Sequence, residues 1–381
     1  LTYHELDQLS SALAEELVAR GVGCEMIVPL HFQKSKWTAV AILAVIRAGA
    51  AFVLLDDSHP LPRLREICQE ARATIVLAAS GLYDSALQLA DESCLILVGE
   101  TQSQQWPRNS IESWRASPVT GSSALYIVFT SGSTGKPKGA VNEHAALCAA
   151  AKASGRALAM SSQTRAFQFA SYAFDPTIMD FLRTWIFGAC VCIPSPVQAK
   201  NDIASAISQF GANLASLTPS VARMLDVDAL PALRALEFAG EPMLQSDLEK
   251  WADRLLLVNA YGTAECSVYS VICSPVRPDG HPHDIGFAAG CVAWIVDPTD
   301  HHTLLPIGQP GELVLEGAGV GRGYLSNEKL TAASFVRDPP WLRQFRGEES
   351  RHIRLYKTGD LAQYQADGSL RCLGRKDTQA K

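Results

Sequence analysis

Positive charge is in short supply: 33 lysines and arginines stand against 39 aspartates and glutamates, a formal net charge of -6 over 381 residues. No basic cluster offsets that balance, which leaves no electrostatic footprint for nucleic acid or an anionic lipid surface. Long apolar runs are missing too: the longest are interrupted well short of the roughly 18 residues that a membrane span requires, so none is expected. The ten cysteines include no Cys-x-x-Cys pair, and the opening residues show no charged, apolar, small-residue leader pattern. Free thiols in a reducing, cytoplasmic setting are the simplest expectation. His281 with His283, and the adjacent His301 and His302, sit in polar turns without a thiol or acidic partner at ligand spacing, which argues against a metal there. No internal repeat or low-complexity tract is visible.

What is present is a large core. The hydrophobic fraction is 48% and the charged fraction 19%, the composition of a soluble globular protein, and the length exceeds one ordinary domain. Leu6, Leu9, Leu13 and Leu17 repeat at helical spacing, and Ile27–Leu30 reads as a buried strand. Val40–Ala48 and Leu64–Ala71 read as helices, and Ala51–Leu55, Thr74–Ala78 and Cys94–Val98 as strands. Such alternation predicts βαβ units and a doubly wound, largely parallel sheet. Thr101–Ser123 is polar and reads as a linker or surface loop. The rhythm then resumes, with strands at Ala124–Thr130, Ala189–Ile193, Leu214–Leu217, Ala235–Ala239 and Leu255–Asn259 and helices near Asp202–Phe210 and Gln245–Trp251.

From Val271 short strands such as Gly290–Val296 and Gly311–Glu316 alternate with Pro, Gly and Asp turns, with a helix near Glu328–Phe335. Asp367-Gly368 reads as a hairpin turn between Ala362–Tyr364 and Ser369–Leu373. The predicted class is α/β: two doubly wound, largely parallel sheets packed with helices, plus a small antiparallel barrel-like subdomain. The expected boundaries are 1–120, 121–270 and 271–375, with a remnant at 376–381.

The strongest local signal is Thr130-Ser-Gly-Ser-Thr-Gly-Lys-Pro-Lys-Gly139, directly after the strand Leu125–Phe129. Gly132, Gly135 and Gly139 let the backbone turn sharply and bring N–H groups toward phosphate oxygens. Thr130, Ser131, Ser133 and Thr134 add hydroxyls, and Lys136 and Lys138 add positive charge. The spacing excludes a Walker A loop: Gly132 and Gly135 are too close, and Pro137 follows Lys136 where Ser or Thr is required.

This segment resembles the phosphate-binding loop of the adenylate-forming superfamily, and other motifs match in family order along the chain. Leu1-Thr-Tyr-His-Glu-Leu6 resembles the opening motif, and Ile46-Arg-Ala-Gly-Ala-Ala-Phe-Val-Leu-Leu-Asp56 the second, with Leu55 where Pro is usual. Phe174-Asp175, Asn259-Ala-Tyr-Gly-Thr-Ala-Glu265, Gly311–Leu325, Tyr356-Lys-Thr-Gly-Asp-Leu361 and Gly374-Arg-Lys-Asp377 follow. The resemblance is to the large subdomain of a nonribosomal peptide synthetase adenylation domain. It implies use of ATP and Mg²⁺ to make an aminoacyl-adenylate, with carrier and condensation domains as partners and phosphopantetheine carried by the former. A monomer as isolated, binding neither nucleic acid nor membrane, is expected.

The resemblance also implies roles. Tyr261 offers a face for adenine, Asn259 an amide for its edge, and Gly240 beside Glu241 lies against the base. Glu265 is the implied Mg²⁺ ligand, since that ion takes oxygen donors. Asp360 accepts the ribose hydroxyls and Arg375 reaches ribose or phosphate. Asp175, beside Phe174, is the implied anchor of the substrate ammonium, because an unpaired buried carboxylate is costly. Placed before Pro176, it also suits a helix cap. The remaining specificity positions are Pro176, Met179, Ser216, Glu237, Ala239, Ala260, Val268 and Tyr269. Small Ser216, Ala239 and Ala260 suggest a roomy pocket for a large side chain. Glu237 is anomalous: facing the pocket it favours a cation or N–H donor, facing solvent it says nothing.

Two departures from the family pattern stand out. Ala264 replaces a threonine expected near the α-phosphate, and Thr263 can substitute only with a different backbone. The chain reaches Lys381 just past Asp377, which resembles the family's hinge residue. The small C-terminal subdomain and its catalytic lysine are therefore expected to lie outside it, so this stretch is expected to bind substrates but adenylate slowly. An acyl- or aryl-CoA ligase of the same superfamily, and a nucleotide-binding module without turnover, are the competing readings.

Overall fold

Helix Tyr3–Ala19 starts where its sequence can satisfy its own backbone. Glu5 N donates to Thr2 Oγ1 at 3.2 Å and Thr2 N donates to Glu5 Oε2 at 2.7 Å, a reciprocal capping box. Its Leu6, Leu13 and Leu17 are buried on one face. The computed structural model describes residues 1–106, 118–131 and 137–376. By internal contacts the chain forms two units: Leu1–His144 with Ser171–Phe174 and Tyr324–Ser326, and Ala145–Ala170 with Asp175–Gly323 and Asn327–Lys381.

The strands run, in chain order, β1 (Ile27–Phe32), β2 (Ala51–Asp56), β3 (Val76–Ala79), β4 (Leu95–Val98), β5 (Ala124–Ser131) and β6 (Pro137–Glu143). Then come β7 (Arg165–Phe167), β8 (Cys190–Cys192), β9 (Leu214–Leu217), β10 (Ala235–Phe238), β11 (Leu256–Tyr261) and β12 (Val271–Cys273). The last are β13 (Asp284–Ala288), β14 (Val292–Val296), β15 (Gly311–Glu316), β16 (Gly323–Tyr324), β17 (Phe335–Arg337), β18 (Arg354–Tyr364) and β19 (Leu370–Arg375).

The first unit's seven-stranded sheet has the order β16-β6-β5-β2-β1-β3-β4. Strands β4, β3, β1, β2 and β5 are parallel, buried runs such as Ala-Phe-Val-Leu-Leu, as a sheet covered on both faces requires. Strand β6 turns back antiparallel to β5. The sequence reading assigns the strand at Ala124 to the second block, whereas β5 pairs with β2 and belongs to the first sheet. Strand β6 escapes that reading because it opens Pro137-Lys-Gly139, which lacks a β-branched run, although proline is tolerated at a strand's first residue. The expected polar linker begins with a short helix, Glu100–Ser103, and most of the remainder lies outside the described residues.

The second unit's twelve-stranded sheet runs β14-β15-β18-β19-β13-β12-β11-β10-β9-β7-β8, with β17 on β18. Strands β8, β7, β9, β10 and β11 are parallel, and from β12 onward the pairing is antiparallel. The antiparallel strands expected beyond Val271 are therefore present, but as an open run continuing the parallel sheet through β12; no closed barrel is formed among the described residues. The Asp367-Gly368 hairpin joins β18 to β19, with Gln365 N donating to Ser369 O at 2.8 Å. All ten cysteines are free, and no described helix is long and apolar enough to cross a membrane.

The second unit's core gathers Leu236, Phe238, Leu248, Trp251 and Leu257, each fully excluded from solvent. Replacing Phe238 with Ala removes a packed ring from β10 and is expected to cost about 3–5 kcal/mol. A shift of the urea unfolding midpoint, followed by tryptophan fluorescence, checks this.

Candidate active site

In the first unit the glycine-rich segment joins two hydrogen-bonded antiparallel strands, Thr130 opposite Lys138 and Ser131 opposite Pro137. Gly132, Ser133, Thr134 and Gly135 lie outside the described residues, as does the side chain of Ser131. The Thr130 hydroxyl is buried with no hydrogen-bond partner among the described residues, a cost that a bound acceptor would relieve. The Lys138 ammonium lies 5.1 Å from the centre of the Tyr324 ring and 3.5 Å from its hydroxyl oxygen. This cation–π contact holds the lysine beside the segment's end. Backbone hydrogen bonding from Leu325 N to Gly139 O, 2.8 Å, fixes Tyr324 there.

The expected adenine and ribose residues meet in the second unit. Asn259 and Tyr261 are two apart on β11, so both side chains leave the same face. The Asn259 amide donates to Asp284 O at 2.9 Å, and the Tyr261 hydroxyl donates to Asp360 Oδ2. Burial, then the Asp360 charge, raises the Tyr261 pKa well above its usual value, so the phenol remains a donor. Arg375 Nη1 reaches Asp360 Oδ1 at 3.2 Å and Thr358 O at 3.0 Å. Asp360 is thereby aimed from two sides. Gly240 adopts φ +82°, a left-handed conformation that suits glycine. The Glu241 carboxylate is engaged by Ser220, from its N–H at 3.1 Å and its hydroxyl at 2.7 Å.

After Tyr261 the chain makes a tight loop. A Cβ on Gly262 would lie 1.9 Å from the Val268 carbonyl oxygen. Ser267 (φ +53°) and Val268 (φ +73°) are both left-handed, and for a β-branched residue that is an outlier. Strain of this kind costs roughly 1–3 kcal/mol per residue and persists where the surroundings over-determine it. Here Ser270 N bonds Tyr261 O at 2.9 Å, Ser270 Oγ bonds Cys266 O at 3.1 Å, and Gly321 N bonds Glu265 O at 2.8 Å. The loop thereby holds Glu265, which is 5% exposed. Among the described residues no group of three His, Cys, Asp or Glu is placed to hold a metal. One carboxylate still suits Mg²⁺, which commonly takes one or two from the protein and the rest from phosphates and water.

Asp175 precedes the short helix Pro176–Ile178 yet makes no side-chain capping bond. Among the described residues its carboxyl has no cationic partner. Burial, then repulsion from Glu265, raises its pKa to about 7. Phe174, assigned to the first unit, is 65% exposed. Met179, Ser216, Ala260, Val268 and Tyr269 are buried, while Pro176 and Ala239 are partly so.

Glu237 does not face solvent. It is fully buried and takes both terminal nitrogens of Arg183, each at 2.8 Å. Ser216, paired in register with Glu237 across β9 and β10, donates its hydroxyl to the same carboxylate at 2.6 Å. The cation expected for Glu237 is supplied by the protein.

The AMP-binding enzyme model matches residues 1–325. The chain belongs to the AMP-binding enzyme family. Over its full length it is 45% identical to the nonribosomal peptide synthetase lenA of Aspergillus lentulus and 47% identical to D-lysergyl-peptide-synthetase subunit 2 of Epichloe festucae var. lolii. It spans only 8% and 28% of those relatives. Among solved structures, 98% of the chain superposes on 93% of the Klebsiella oxytoca NpsA N-terminal subdomain in complex with 3-hydroxybenzoyl-AMSN, with a TM-score of 0.82 at 22% identity. The whole chain matches 42% of the nonribosomal peptide synthetase FmoA3 in its alpha-methyl-L-serine-AMP bound form, with a TM-score of 0.85 at 24% identity.

Reading this AMP-binding enzyme by sequence missed Arg183 and Tyr324. A signal for Arg183 existed: it shares the largely apolar run Ile178–Ile186 with Asp180, as Glu237 lies in Ala235–Phe238, and charges set in apolar runs require partners. Two outcomes are expected. Gly262→Ala should destabilise the protein by roughly 3 kcal/mol or more, seen as a lowered thermal midpoint. Because the folded Asp175 pKa is raised above its unfolded value of 3.8, the folded state holds the extra proton between about pH 4 and 7, and stability falls as pH rises through that window. Denaturation curves of Asp175→Asn should lack this contribution.

Proposed function

We propose that this chain binds ATP and an α-amino acid and joins them as an aminoacyl-adenylate within a nonribosomal peptide synthetase, releasing pyrophosphate. Asp175 carries the reading. Its carboxyl does not cap the helix beside it, and burial next to Glu265 pushes its pKa to about 7. A group in that state gains most from a cation that arrives with the substrate, and the α-ammonium is such a cation. An acyl or aryl acid has none to offer.

The chemistry is attack of a substrate carboxylate oxygen on the α-phosphorus, with pyrophosphate leaving. The protein contributes position and charge. Asp360, oriented by Tyr261 and Arg375, accepts from the ribose hydroxyls, since a carboxylate has about four acceptor sites. Asn259 and the face of Tyr261 receive the base, and Gly240 lets the backbone lie against it. Thr130, Lys138 and the glycine-rich segment between them receive the β- and γ-phosphates. Glu265 is the residue that would hold Mg²⁺, whose contribution is to neutralise phosphate charge. The aminoacyl group then passes to phosphopantetheine on a carrier domain, in the cytoplasm. Ala264 places no hydroxyl beside the α-phosphate, so that stabilisation falls to the other groups.

The test is amino-acid-dependent exchange of pyrophosphate into ATP, assayed in the full-length polypeptide. Asp175→Ala should lower kcat/KM for the amino acid by about 100-fold or more while leaving ATP binding in place. Exchange driven equally well by carboxylic acids without an amine, and unaffected by Asp175→Ala, would make the chain an acyl or aryl ligase instead.

A further inference from the structure

Arg183 has no role in the reading above, yet it ties together the specificity positions of the second unit. It ends the π-helical turn Met179–Arg183, a local widening that recurs at functional sites. Its side chain is 2% exposed and that of Glu237 is 0% exposed. The two terminal nitrogens meet the two carboxylate oxygens in parallel, each at 2.8 Å, the fork-to-fork geometry that arginine makes and lysine does not. Arg183 Nη2 also lies 3.4 Å from Ser216 Oγ, and the guanidinium sits 5.5 Å from the centre of the Tyr269 ring. Ser216, Glu237 and Tyr269, drawn from β9, β10 and the strained loop, thus converge on one buried cation.

The pairing changes what Glu237 can select. An uncompensated carboxylate at the base of an amino-acid pocket attracts a cationic side chain. Here that carboxylate is already matched in charge and geometry. A lysine- or ornithine-like group approaching it would meet the guanidinium's repulsion and would have to displace a bidentate pair from a dry site, where both ions are costly to separate. Asp180, in the same turn, is a second buried carboxylate within electrostatic reach of Arg183; its Oδ2 accepts from Gln168 Nε2 at 3.3 Å, and it lacks the bidentate arginine contact that Glu237 has. Two hydrogen-bonding groups of the cluster, Arg183 Nε and the Tyr269 hydroxyl, are buried with no partner among the described residues. They suit an uncharged polar atom better than an ammonium.

We propose that Arg183 is a specificity-determining residue: by neutralising Glu237 within the fold, it sets the pocket for α-amino acids with uncharged side chains and against those with cationic ones. The inference rests on the amino-acid-activating reading and narrows its substrate class.

The experiment is pyrophosphate exchange in the full-length polypeptide over the standard amino acids and ornithine, followed by comparison of the best substrate with its ω-amino counterpart. The native protein should favour an uncharged side chain. In Arg183→Gln, Glu237 is left uncompensated, and the ratio of kcat/KM for the uncharged substrate to that for its cationic counterpart should fall about tenfold or more. The double variant R183M/E237L, which replaces the pair with apolar groups of similar size, should retain the uncharged preference. It also keeps the question open to test if the single variant does not fold. A native preference for a basic amino acid overturns the proposal, as does an Arg183→Gln that lowers both rates by one factor, or a double variant that uses both substrates equally. Exchange with no amino acid at all would instead overturn the parent reading and this inference with it.

Discussion

The hydrogen bonding of β11 constrains the candidate site more than any other interaction. On one edge this strand pairs in parallel with β10, and on the other it pairs antiparallel with β12. A single strand thus joins the covered parallel sheet, where side chains pack into a core, to the antiparallel run that carries Asp360 and Arg375. Register along β11 decides which residues emerge where: Asn259 and Tyr261 share one face and Ala260 takes the other. A slip of one residue would exchange them and leave Asp360 without the Tyr261 hydroxyl. The same strand is followed directly by Gly262, so the strained loop bearing Glu265, Val268 and Tyr269 is anchored to it as well.

The second constraint is electrostatic. The unit withdraws several carboxylates wholly or partly from solvent, and each is handled differently. Asp360 is bonded by a phenol and an arginine, Glu237 is matched by Arg183, and Asp175 has no counter-ion of its own. A buried ion pair adds little net stability, since desolvation offsets most of the attraction. Glu237 with Arg183 is therefore better understood as fixing the character of its surroundings than as strengthening the fold. Asp175 is the reverse case, a carboxyl that burial and the neighbouring Glu265 hold in a costly state.

Much of this was legible in the sequence. Strands β9 and β15 and the helix Gln245–Trp251 stand where the apolar patterns place them, because length and burial left one period to each. The ordered motifs identify the family through residues whose chemistry is local: glycines beside hydroxyls, a Tyr-Gly pair, a Thr-Gly-Asp run. What stayed hidden is non-local. The continuity of the parallel and antiparallel strands depends on β12, a strand of three residues. The partner of Glu237 lies 54 positions away, and a reading that left Glu237 facing either the pocket or solvent missed it because pattern analysis weighs each segment alone. Of the 11 residues of β18 only Ala362–Tyr364 read as a strand, because Thr358-Gly-Asp360 interrupts the alternation, although the strand runs through it with a bulge near Leu361.

The first unit is not contiguous in the chain. After His144 its sequence returns for Ser171–Phe174 and again for Tyr324–Ser326, and β16 occupies the edge of the seven-stranded sheet beside β6. During synthesis, therefore, the amino-terminal sheet cannot be finished when its own first 144 residues have emerged. Its outer edge stays uncapped, and Lys138 lacks its aromatic neighbour, until the second unit's Ala145–Ala170 and Asp175–Gly323 have been made, with Asn327–Lys381 still to follow. Completion of the first unit's sheet thus waits on a short segment encoded far downstream, after most of the second unit's sequence.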